Sequence, residues 1–153
     1  MSSFSPELIK MIKHHEGLFL NVYQDTRGYD TIGFGHTLTA DEIDDNAFSG
    51  GISEEAAQKL LQNDLTPIVT EMLESAPWIE NLDPVRRDCL YDMAFNLGAS
   101  GLLKFKLALG QAQAREHRAA AEMKSSRWCA QVGPRCKELS KQMETGNYVL
   151  PND

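Results

Sequence analysis

Glu16 and Asp25 stand nine residues apart, and Thr31 follows six later, in a stretch punctuated by Gly17, Gly28, Gly33 and Gly35. Two carboxylates facing each other across a cleft are the minimal apparatus for cleaving a glycosidic bond: one donates a proton, the other handles water or the developing positive charge. The hydroxyl of Thr31, both donor and acceptor, can hold the attacking water. Taken singly, each of these side chains is more often a solvated surface group or a cap than a catalyst. Their spacing is what points to chemistry.

The elements that must position them follow from local patterns. Ser5 reads as an N-cap with Pro6 at the first helical position and Glu7 in the first turn, opening a helix that Gly17 ends. Ile9, Ile12 and Glu16 fall at i, i+3 and i+7, so Glu16 leaves the last turn on the apolar stripe. Leu20, Val22 and Tyr23 then read as a strand, Asp25-Thr26-Arg27-Gly28 as a turn, and Tyr29 to Phe34 as a second strand. Folding of this hairpin carries Asp25 and Thr31 back towards Glu16, with Asp25 solvated and ionised in its polar turn. The two acids thus occupy different environments, as acid and base roles require.

Glu16-Gly17, Asp25, Thr31 and Ile32-Gly33-Phe34-Gly35-His36-Thr37 together resemble the catalytic segment of the T-even phage lysozymes, glycoside hydrolase family 24. The similarity continues through Leu82-Asp83-Pro84-Val85-Arg86-Arg87, Met93-Ala94-Phe95-Asn96-Leu97-Gly98 and Ser126-Arg127-Trp128, with Gln131 and Arg135 following. The resemblance implies an α+β, mostly helical, lysozyme-like fold: one domain over residues 1–153, with a small β-hairpin lobe at about 15–60. Residues 61–153 and the N-terminal helix would form a larger helical lobe, joined to the first by a long helix. It implies a muramidase that hydrolyses the β-1,4 bond between N-acetylmuramic acid and N-acetylglucosamine in bacterial peptidoglycan, for host cell lysis.

By the same resemblance Glu16 is the general acid, Asp25 assists the water or the oxocarbenium ion, and Thr31 positions the water. Inversion at the anomeric carbon is implied, which requires carboxyls roughly 6.5–9.5 Å apart. Thr37, Phe95 and Asn96 are implied to touch substrate. Arg135 is placed opposite Glu16, and His36 is paired with Asp64 in a structural rather than catalytic role. Phe95 is read equally as core packing and as a sugar contact. The partners implied are peptidoglycan and a separate holin, with a monomeric protein made in the host cytoplasm and acting on the wall in the periplasm. Two rival readings share the shape: a lytic transglycosylase, which would leave anhydro ends, and a wall-binding module that has lost catalysis.

Composition sets the bounds. The 153 residues are 42% hydrophobic and 24% charged, which suits an ordinary globular chain with a proper core. No apolar run is long enough to span a bilayer, and Met1-Ser2-Ser3-Phe4-Ser5 lacks the pattern of an export signal, so no membrane insertion is expected. Fifteen basic against 22 acidic residues give a formal net charge of −7, which argues against nucleic acid and departs from the mostly basic members of the family. Much of that excess lies in Asp41-Glu42-Ile43-Asp44-Asp45, read as a solvated loop. No phosphate-cradling loop or nucleophile elbow is present, and no cofactor is expected.

Cys89, Cys129 and Cys136 are read as structural thiols kept reduced, without zinc-ligand spacing; Cys129 and Cys136 flank a Gly-Pro turn and could meet after oxidation. Ser53 caps a long helix with an apolar stripe from Ala56 to Leu73 despite Pro67. Asp83-Pro84 opens another helix that Gly98 stops. Ala119 to Met123 is read as a small-residue helix ending in Trp128. Ala108 and Glu122 stand where the family often places hydroxyl and amide groups.

Overall fold

Ser5 does open the first helix: its Oγ accepts the Leu8 N–H at 3.1 Å, and Pro6 needs no such partner. In the computed structural model, which describes residues 4–114 and 118–151, α1 runs Pro6–Glu16, and Gly17 turns the chain at φ +75°. The chain divides into two compact units, residues 12–67 and residues 1–11 with 68–153.

In the unit of residues 12–67, β1 (Phe19–Gln24), β2 (Asp30–Gly33) and β3 (His36–Thr37) form an antiparallel sheet in the order β1-β2-β3. The third strand goes beyond the expected hairpin; two residues are too few to show alternation in sequence. Tyr23 lies opposite Thr31, and Thr31 opposite Thr37, so the three share one face of the sheet. Between Phe19 and Tyr23 the register slips, and there the Leu20 carbonyl accepts the N–H of Ile52 at 2.9 Å. Gly51 allows this approach: at φ +79°, a Cβ there would sit 2.8 Å from Asn21 Oδ1 and 2.9 Å from the Leu20 carbonyl.

Residues 41–45 correct the expectation of a loop. Ala40–Asp44 is a short helix, α2, opened by a reciprocal capping box in which Thr39 Oγ1 accepts from Glu42 N–H at 3.2 Å and Glu42 Oε1 accepts from Thr39 N–H at 2.8 Å. Then α3 (Glu54–Ser75) starts where Ser53 Oγ accepts the Ala56 N–H, and it continues through Pro67. Ala57, Leu61 and Leu65 of α3 are buried, as are Ile12, Ile32 and Phe34. Gly33 packs closely on α3, since a Cβ there would come within 3.2 Å of Ala57 Cβ. The division between the units falls within α3, after Pro67.

The other unit is helical: α4 (Pro84–Leu97), α5 (Ala99–Leu103), α6 (Lys106–Gln113), α7 (Ala119–Lys124), α8 (Arg127–Val132) and α9 (Pro134–Thr145) follow a 3-10 turn at Pro77–Asn81. Asp83 caps α4 through the Arg86 N–H, and Gly98 ends it at φ +78°. α4 packs on α5 and α9, and α7 on α6 and α9. Leu90, Met93, Leu102, Met123 and Leu139 are buried in this unit. Buried Asp88 takes hydrogen bonds from Ser5 Oγ at 2.6 Å and Tyr148 OH at 2.7 Å, tying both ends of the chain to α4.

Two further expectations are corrected here. Trp128 opens a separate helix instead of ending the previous one, because Ser126 Oγ accepts the Cys129 N–H and starts α8 afresh. The thiols are not all free: the turn at Gly133-Pro134 returns α9 against α8 and brings Cys129 and Cys136 to a Cα separation of 5.0 Å, where they form a disulfide. Cys89 remains a buried thiol, its Sγ–H directed to the Leu139 carbonyl at 3.3 Å.

Candidate active site

Glu16 closes α1, and its side chain lies against the turn between β2 and β3. A Cβ on Gly35 would be 2.7 Å from Glu16 Oε1, so the carboxylate rests where only glycine leaves room; φ +83° at Gly35 makes the same demand. Asp25 opens the β1–β2 turn. Its Oδ1 accepts the N–H groups of Arg27 at 2.9 Å and Tyr29 at 3.0 Å, and the Gly28 N–H returns to its carbonyl. The Tyr29 amide foremost, against the opposing pull of desolvation and helped by Arg27 and Gly28, holds the Asp25 carboxyl below the usual range. Asp25 is therefore ionised at neutral pH.

Tyr23 joins the two acids. Its hydroxyl is pushed above the ordinary phenol value by burial first, and then by the negative charges of Glu16 and of Asp25, so both carboxylates bear on one side chain. Across the ladder from Tyr23, Thr31 is buried and donates its hydroxyl proton to the Tyr29 carbonyl at 2.9 Å. Its oxygen is left to act as an acceptor. Thr37, next on the same face, is exposed.

His36 is held on both nitrogens: Nδ1 lies 2.7 Å from Asp64 Oδ2 and Nε2 lies 2.9 Å from Glu42 Oε1. The hydrogen bond to Asp64 is the main cause that raises it, burial opposes, and Glu42 adds to the rise, bringing the imidazole from 6.5 to about 9. At neutral pH it is a cation between two carboxylates, which suits a clasp and not a proton shuttle.

Phe95, Asn96 and Arg135 belong to the helical unit. Phe95 is half-buried. Asn96 is exposed, and its Oδ1 accepts the indole N–H of Trp128 at 2.7 Å; the Trp128 ring meets Phe105 edge to face. Arg135 is buried, its Nε donating to Asp92 Oδ1 at 3.0 Å.

Residues 13–145 match the family model described as Phage lysozyme. The chain belongs to the phage lysozyme family. It is 31% identical over 159 residues to a probable T4-type lysozyme of Dictyostelium discoideum, covering 89% of this chain and 92% of that one. It is 32% identical over 126 residues to the endolysin of Salmonella phage P22, covering 80% and 81%. A third relative, the pre-baseplate central spike protein Gp5 of Enterobacteria phage T4, is 28% identical over 160 residues, which span 92% of this chain and 28% of that protein. As a phage lysozyme, the protein is a glycosidase that hydrolyses peptidoglycan. The match takes in Glu16, Asp25 and Thr31.

Three residues that partner these side chains carry no functional signal in the sequence. Tyr23 reads as an ordinary strand aromatic. Glu42 reads as part of a charge run, although Thr-x-x-Glu at 39–42 is a capping-box pattern. Asp92 carries no local mark at all, since its pairing with Arg135 spans 43 positions.

Proposed function

We propose that this lysozyme cleaves the β-1,4 bond between N-acetylmuramic acid and N-acetylglucosamine with inversion, using Glu16, Asp25 and Thr31. Glu16 gives its proton to the departing glycosidic oxygen. Ionised Asp25 takes a proton from water as the water attacks the anomeric carbon. Thr31, its own proton spent on the Tyr29 carbonyl, accepts the second O–H of that water and leaves the lone pair free to attack. What supports the reading is the placement of the three side chains around one sheet: Glu16 lies against Gly35 of the β2–β3 turn, Asp25 opens the β1–β2 turn, and Thr31 faces Tyr23 across the ladder.

The family resemblance assigns Thr37, Phe95 and Asn96 to the substrate and Arg135 to the orientation of Glu16, and these roles form part of the same proposal. So do synthesis in the host cytoplasm, passage to the wall through a separate holin, and action as a monomer. No described helix is long and apolar enough to cross a membrane.

Clearing of permeabilised Gram-negative cells tests the acid: Glu16→Gln should fall by at least about a hundredfold, the usual scale for a lost general acid. Equal clearing by both proteins would exclude Glu16. Proton NMR of the first sugar released should show the α anomer. A β anomer would overturn inversion, and 1,6-anhydro ends would convert the reading to a transglycosylase.

A further inference from the structure

We propose that Phe19 and Tyr23 form a stacking platform for a sugar ring of the glycan, with Phe19 a specificity-determining residue beside the catalytic acids. Phe19 and Tyr23 lie four apart on β1, and their rings stack at 4.1 Å between centroids and 31° between planes. Phe19 is 45% exposed, so its ring is within reach of a ligand. The pair is anchored to the site at both ends. A Cβ on Gly17, the residue after Glu16, would lie 3.8 Å from Phe19 Cε2, and Tyr23 is the register partner of Thr31.

The chemistry of the occupant follows from what the rings offer. A pyranose with equatorial substituents presents axial C–H groups on its faces, and the electron-rich face of an aromatic ring attracts them while both surfaces leave water. Neither ring carries a charge, so the platform selects for a flat apolar face and not for an anion. Leu18 before the strand, Leu20 and Val22 on it, and Tyr29 across the turn are exposed as well, and Tyr29 pairs with the Arg27 guanidinium instead of with these rings. The pair adjoins the proposed acid site through Gly17 at one end and Thr31 at the other, so the occupant we assign is the glycan itself and not a second protein or a membrane.

This inference rests on the proposed catalytic reading, and its test is separable from it. With soluble, uncross-linked strands of alternating N-acetylglucosamine and N-acetylmuramic acid, Phe19→Ala should raise KM about fivefold and leave kcat within about twofold, because stacking on a non-reacting part of the substrate is uniform binding. Phe19→Trp should restore KM, and melting should match wild type. An unchanged KM overturns the platform, as does a raised KM that Trp fails to restore. Slower clearing of cells with unchanged KM on soluble strands also overturns it, because the ring would then be a wall contact. A second readout does not need turnover: in Glu16→Gln, the ring signals of Phe19 and Tyr23 should shift when the strands are added. Absence of shifts overturns the platform even where Glu16→Gln is inactive, and shifts uphold it even where Glu16→Gln proves active.

Discussion

At the scale of single residues, the position of Glu16 depends on an atom that is missing. Gly35 places no Cβ where the Glu16 carboxylate lies, and its φ of +83° disfavours any other residue. Gly35→Ala must therefore push Oε1 aside from a contact of 2.7 Å, and the flexible glutamate side chain yields more easily than the turn. Misplacement of a catalytic group by about 1 Å costs on the order of a hundredfold in rate. We expect Gly35→Ala to lose activity on that scale, mainly in kcat, while melting drops by only a few degrees from the strained φ. Wild-type kcat in this variant would show that Glu16 is held by something other than this turn. Asp25 differs, because backbone amides of its own turn hold it and that turn was legible from Asp25-Thr26-Arg27-Gly28 alone.

At the scale of elements, the clasp around His36 joins β3, α2 and α3 of one unit through His36, Glu42 and Asp64. Its pH dependence has two limbs. His36 is raised from 6.5 to about 9 in the folded protein, so its stabilisation is complete below 6.5 and is lost as pH rises through about 9. Glu42 is lowered: burial pulls upward, but the Thr39 amide and His36 prevail, so its stabilisation is present above 4.5 and is lost as the solution is acidified through its lowered value. Urea unfolding should show wild type ahead of Glu42→Gln by about 1–2 kcal/mol near pH 6, with the gap closing by about pH 10. A gap that grows with alkali would contradict the clasp. The pairing with Asp64 matches a resemblance; the one with Glu42 was hidden, because an acidic run looks solvated until its cap is drawn. Legibility follows the same physics elsewhere. Ser5, Ser53 and Asp83 announce their helices through local capping, and the stripe of α3 shows through Pro67. The start of α8 at Ser126, the two-residue β3, the Cys129–Cys136 bridge and the Asp92–Arg135 pair depend on turns or on partners far along the chain, which periodicity does not report.

At the scale of the whole molecule, the charge of −7 sets how this lysozyme meets a wall that is itself anionic. Like-charge repulsion acts over the Debye length, about 30 Å at 0.01 M salt and about 8 Å at 0.15 M, so added salt removes a barrier to encounter where a basic enzyme would lose an attraction. Asp41, Asp44 and Asp45 are exposed around α2, free of the role that Glu42 has in the clasp, and contribute to the field without a structural duty of comparable weight. We therefore expect the rate of cell clearing to rise several-fold between about 0.01 and 0.15 M salt, while turnover of short soluble strands of N-acetylglucosamine and N-acetylmuramic acid, which carry few charges, changes far less. Replacing the three aspartates by asparagine brings the formal charge from −7 to −4 and should raise the low-salt clearing rate and flatten its salt dependence. The comparison separates steering from catalysis, since all three lie outside the Glu16, Asp25 and Thr31 set. A clearing rate that falls with salt in wild type would mean that a local basic surface, and not the net charge, governs the approach to the wall.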